Sequence, residues 1–143
     1  MRCSHHIDPA PAAAATVRRW ATDVAVEAGY EAVVEVMALL VSELVTNVVI
    51  HAGTPGLVTL DLDGRRVRVE VADRAEPLPP IPATSDPLAV RGRGLVLLRE
   101  LSDASGVDER PDGGKVVWFE LLAPRGGAEV GSEVGPEDGS DGP

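Results

Sequence analysis

Cysteine is nearly absent: Cys3 is the only one in 143 residues, so no disulfide can close within the chain. Basic residues are few, 13 Lys and Arg against 23 Asp and Glu, giving a formal net charge of −10. A nucleic-acid surface needs clustered Lys and Arg, and no patch of that kind is present. No apolar run reaches membrane-spanning length without an interrupting charge, and the N-terminus lacks the apolar core of a signal peptide. The expectation is a cytoplasmic protein with neither a nucleic-acid nor a membrane partner. Cys3, His5 and His6 have no further ligands close in sequence, so a terminal metal site is not expected and the segment reads as disordered. Periodicity is missing from the proline-rich stretch that follows Arg74 and from the tail, where five acids and no base lie beyond Arg125. Such a tail cannot bury enough surface to order itself. The length suits one domain with a real core. The expected division is an N-terminal segment over 1–8, a domain over 9–123 and an acidic Gly/Pro-rich tail over 124–143.

What is present centres on Val36 to Ala52, VMALLVSELVTNVVIHA. At about 100° per residue, Met37, Val41, Leu44, Val45 and Val48 share one face, while Ser42, Glu43, Thr46 and Asn47 gather opposite. Val36, Leu39 and Ile50 lie on that polar side too, so the quartet forms a notch, which points to a buried site. Glu43 and Asn47 are one turn apart and can present a carboxylate and an amide to one ligand. A polar seam facing water or another helix is the plainer alternative.

Before this helix, Asp8-Pro9 reads as an N-cap with Pro at the first helical position. Val17, Trp20, Ala21, Val24 and Ala28 then recur at helical spacing up to Gly29. Arg18 and Arg19 fall on the wet face of that first helix. From Leu57 the period becomes two, with Val58, Leu60 and Leu62 inward, Asp63-Gly64 as a hairpin turn, and Val67, Val69 and Val71 inward on the return. Counting on by two reaches Asp73, a carboxylate aimed at the core face, which needs a donor. A ligand, a turn cap and Arg74 are all candidates for that donor.

Residues 75–91 hold five prolines and are too long for a passive connection, so they read as a lid. The lid ends at Arg91-Gly92-Arg93-Gly94, leading into a short helix with Leu95, Leu98 and Leu101 inward. Glycines before a helix N-terminus let backbone N–H groups approach an anion, and the flanking arginines favour phosphate; a flexible joint is the alternative. A poorly patterned strand near Ser105 to Arg110, a turn at Pro111 to Gly114 and the strand KVVWFELL complete the pattern, with another short strand possible over Arg2 to Ile7.

The order of these parts resembles the GHKL ATPase superfamily, named for gyrase, a heat-shock chaperone, histidine kinases and MutL. Those parts are Glu43-x-x-x-Asn47 on a helix, a strand ending in Asp73, a lid, Gly92-x-Gly94-Leu95 opening a helix, and a hairpin. SELVTNVVIHA is most similar to the single-domain anti-sigma-factor serine kinases of actinobacterial type. The resemblance implies an α+β two-layer sandwich, the Bergerat ATP-binding fold, with a mixed, mostly antiparallel sheet covered on one face by three helices. By position it implies Glu43 as general base, Asn47 as ligand of Mg²⁺, and Asp73 as acceptor for the adenine amino group. Arg91, Gly92, Arg93, Gly94 and Leu95 would lie around the ATP phosphates. It further implies serine/threonine kinase activity toward an anti-anti-sigma partner, with a sigma factor as the alternative partner; members of the family often form a homodimer, though no apolar stripe in this sequence marks an interface. A module that sequesters a sigma factor or another regulator without catalysis is the other reading. Two positions depart from the pattern: Arg74, Ala75, Glu76 and Pro77 replace the glycines after Asp73, and Lys115 stands where a Thr hydroxyl would support it. That second hydrogen bond to Asp73 is expected to be missing.

Overall fold

The computed structural model describes residues 1–73, 93–111 and 113–124. Five strands form one sheet in the order β1-β2-β3-β5-β4, comprising β1 (Arg2–Ile7), β2 (Gly56–Asp63), β3 (Arg66–Asp73), β4 (Ala104–Glu109) and β5 (Lys115–Leu122). Every pairing among the described residues is antiparallel, so the sheet expected to be mixed is more regular than that. Helices α1 (Ala13–Glu27), α2 (Val34–Asn47) and α3 (Arg93–Leu101) make up the helical elements beside it, with a 3₁₀ turn over Glu31–Val33 leading into α2.

Helix α1 starts four residues after Pro9, not at it. Ala10 precedes Pro11, whose ring disfavours helical backbone in the residue before it, so the chain first makes a turn in which the Ala10 N–H reaches the Asp8 carbonyl at 2.7 Å. The core stripe of α1 is Ala13, Val17, Ala21 and Ala25, an i, i+4 series of small residues that lets α1 and α2 lie close. Met37, Leu40, Val41, Leu44 and Val45 of α2 fill the centre beneath it. They pack with Val58, Leu60, Val67, Val69, Val71, Phe119 and Leu121 from the inward face of the sheet. The stretch Glu31–Ile50 is long and apolar enough to cross a membrane, yet this inward packing already occupies its apolar face.

The α2 rod ends in an unexpected way. Val48–Ala52 is a π turn, closed by the Gly53 N–H on the Val48 carbonyl at 3.0 Å, and Gly53 then takes φ +63. A left-handed backbone is cheap for glycine alone, which is why the helix stops there. The β2–β3 loop is Gly64–Arg65, with Asp63 still paired to Arg66, one residue later than the Asp-Gly pattern indicates. Tyr30 holds this loop by donating from its hydroxyl to the Gly64 carbonyl at 2.7 Å. Burial and the nearby Asp63 charge both push the Tyr30 pKa up.

The N-terminal segment is ordered as β1 along the edge of β2, and Ile7 is fully buried. Its backbone groups find a ready partner in β2, which outweighs the mobility expected of a terminus. Within the last helix Leu98 is buried, but Leu101 is 40% exposed and does not face inward, because the chain turns there to enter β4.

Candidate functional site

Two tethers orient α2 along the sheet. At its start, Tyr30 is bonded to the hairpin loop; at its end, Val48 lies against Gly56, the first residue of β2. A Cβ on Gly56 would meet the Ala72 carbonyl oxygen at 2.6 Å and the Val48 Cγ1 at 3.4 Å. The C-terminal end of α2 is therefore delivered to the end of the sheet where β3 finishes. Asn47 is the last residue of α2 and Asp73 the last of β3, so the helix carboxamide and the strand carboxylate converge on one end of the molecule.

Glu43 and Asn47 are both half-buried, and among the described residues neither side chain makes a hydrogen bond or ion pair. The notch they occupy has an open rim, since Leu39 and Ile50 are 42% and 68% exposed. A helix in a two-layer fold has one side against the sheet, so its outer side cannot be closed over by the core alone. Ser42 is turned away from the pair toward α1, where it accepts a hydrogen bond from the Arg18 guanidinium at 3.0 Å. Near the same end, Thr54 Oγ1 is buried with no hydrogen-bond partner among the described residues.

Asp73 is 3% exposed on the inward face, as the alternation of β3 requires. The hydrogen bond expected to be missing for want of a Thr hydroxyl is replaced by one from a different donor. Lys115 Nζ lies 2.9 Å from Asp73 Oδ2, and the two residues are register partners across β3 and β5. Sequence reading missed this because the turn at Pro111 to Gly114 fixes β4 against β5 but gives no register for β5 against β3. The signal that finds it is parity. Val71 and Val117 are partners on the inward face, and stepping two residues outward along each strand reaches Asp73 and Lys115.

Arg93, Gly94 and Leu95 form the first turn of α3, so the second glycine of the pair lies within the helix rather than before it. Gly92 and the lid expected over 75–91, which includes Arg91, lie outside the described residues. Cys3 sits in the β1 edge strand, where burial pushes its thiol pKa up and the nearby terminal ammonium works against that. No cluster of metal-ligating side chains occurs there or elsewhere among the described residues.

A helix bearing a carboxylate–amide pair, laid over an antiparallel sheet whose third strand ends in a buried aspartate, places the chain in the two-layer α+β class. The chain belongs to the histidine kinase-like ATPase domain family, whose model matches residues 7–121. No curated protein matches the chain. Among solved structures, it is similar to the RsbU and RsbW domains of Rv1364c from Mycobacterium tuberculosis, with a TM-score of 0.66 and 21% sequence identity. That match covers 86% of this chain and 32% of the other, and at this identity it supports the fold. Family and fold agree with the GHKL resemblance.

Proposed function

We propose that this domain binds ATP with Mg²⁺ and transfers the γ-phosphoryl group to a serine or threonine of an anti-anti-sigma-like protein. The observation that carries this reading is the Glu43–Asn47 pair, set one turn apart at the sheet end that holds Asp73 and without protein partners among the described residues. Half-buried side chains without protein partners keep their hydrogen-bonding capacity for a ligand or water. The donor set suits a phosphate-bound Mg²⁺, which takes one or two protein oxygens and keeps the rest for phosphate and water. Asn47 would supply the amide oxygen. Mg²⁺, when bound, neutralises the phosphate charge.

Glu43 takes the proton of the attacking hydroxyl as its oxygen bonds to the γ-phosphorus, and the bond from that phosphorus to the β–γ bridging oxygen breaks to release ADP. Asp73 accepts from the base amino group at the inner end of the site. A second reading, a module that sequesters a sigma factor with little use of nucleotide, is favoured by one observation: the Lys115 ammonium already partners Asp73. Calorimetric titration of ATP with and without Mg²⁺ tests the first reading. Mg-dependent binding together with labelling of the partner supports it. Absence of heat and of thermal stabilisation at millimolar ATP leaves the sequestering module.

A further inference from the structure

We propose that Lys115 sets the purine selectivity of this site, turning a carboxylate that would exclude guanine into a donor–acceptor pair that admits GTP as well as ATP. The inference rests on the reading above that Asp73 meets the base. A carboxylate has only acceptors to offer. Facing adenine, it receives the exocyclic amino group; facing guanine in the same pose, it would meet the O6 carbonyl, acceptor against acceptor. Left uncorrected, that mismatch is what would make such a site specific for adenine.

Here the carboxylate is not alone. Lys115 Nζ sits 2.9 Å from Asp73 Oδ2, and its side chain is 31% exposed while that of Asp73 is 3% exposed. The ammonium therefore stands on the outer side of the carboxylate. It has three N–H donors, of which the contact with Asp73 uses one. Another donor can turn to guanine O6, which then meets an N–H in place of the carboxylate alone. With adenine, Asp73 accepts from the amino group and Lys115 donates to N1. The C6 substituent of either purine then meets a partner, the adenine amino group on Asp73 and the guanine O6 on Lys115. The placement is fixed by the fold, because Asp73 and Lys115 are cross-strand partners at the ends of β3 and β5 and cannot drift apart without breaking the ladder.

The test is a calorimetric comparison of ATP and GTP, each with Mg²⁺, on the full chain and on Lys115→Met. The wild type is expected to bind the two within about tenfold of each other, and Lys115→Met to weaken GTP relative to ATP by about 10- to 100-fold, the worth of one mispaired buried polar group. Should Lys115→Met fail to fold, Lys115→Gln, whose amide still donates to Asp73 but carries no charge, is expected to shift the ratio in the same direction by less. A wild type that rejects GTP more than about 100-fold, or a ratio that neither substitution moves, overturns the role of Lys115 and leaves ATP binding intact. Failure to bind either nucleotide overturns the nucleotide-binding reading itself, and this inference with it.

Discussion

Glu43 and Asn47 lie one turn apart on one helix, yet substitutions at the two should separate chemistry from binding. Glu43→Gln keeps shape and hydrogen bonding but cannot take a proton, so nucleotide affinity should hold while phosphoryl transfer falls by roughly 10²–10⁴-fold, the range for positioned general-base catalysis. Asn47→Ala removes an oxygen from the metal's surroundings and should weaken Mg-ATP far more than metal-free ATP, which paired titrations with and without EDTA would reveal. Equal effects of both substitutions on melting temperature, with titrations unchanged, would reduce the pair to a solvated seam. These two residues were legible in the sequence because helical spacing is local. The partner of Asp73 was not, because Lys115 is 42 positions away and only the β3–β5 register brings it near. Lys115→Met should also lower stability by about 1–3 kcal/mol in urea denaturation, since it removes a charged donor from a buried carboxylate.

Among the elements, the strands followed the sequence most faithfully, because alternation marks both their existence and their inward face. Val67, Val69, Val71 and Asp73 are buried as counting by two requires. The helix ends were less legible. Pro9 looked like a helix start, but Pro11 two residues later restricts Ala10, and the π turn at Val48–Ala52 leaves no mark that separates it from an ordinary last turn. The face of the sheet away from the core carries a feature that periodicity could locate but not describe. Arg68 lies 4.2 Å over the Trp118 ring and 2.9 Å from both Glu70 and Glu120. Burial works to lower the Arg68 pKa, but its hydrogen bonds to those carboxylates and their charges outweigh it and raise the value. Under the same ring lies Gly106 of β4, where a Cβ would come within 2.8 Å of the indole. Gly106→Ala must therefore push Trp118 off its seat, and a loss of about 1–3 kcal/mol is expected from denaturation curves. Gly64→Ala, by contrast, has open space around it and tests backbone conformation alone.

For the molecule as a whole, the sheet is closed at one edge by β1, and Ile7 at its end is fully buried. Ile7→Ala should cost about 2–5 kcal/mol, the range for an aliphatic side chain removed from a packed core. Thermal melts would show whether this edge is part of the cooperative unit: a near-unchanged transition would mean that β1 frays separately. The three-Arg, three-carboxylate network on the face of the sheet away from the core is half-exposed, so each pair is worth little, and raising the salt concentration should lower the melting temperature only slightly. That same face also determines what the protein can report about itself optically. Trp118 alternates with Val117 and Phe119 and so points away from the side of the sheet where Asp73 lies, while Trp20 stands on α1 with its ring 5.2 Å from that of His5 in β1. Trp118 is thus separated from Asp73 by the sheet, and Trp20 is engaged with the β1 edge. Intrinsic emission should follow unfolding and disruption of the Arg68 stack while remaining nearly silent to nucleotide, so a flat fluorescence titration says nothing about occupancy and a labelled nucleotide is needed to see it.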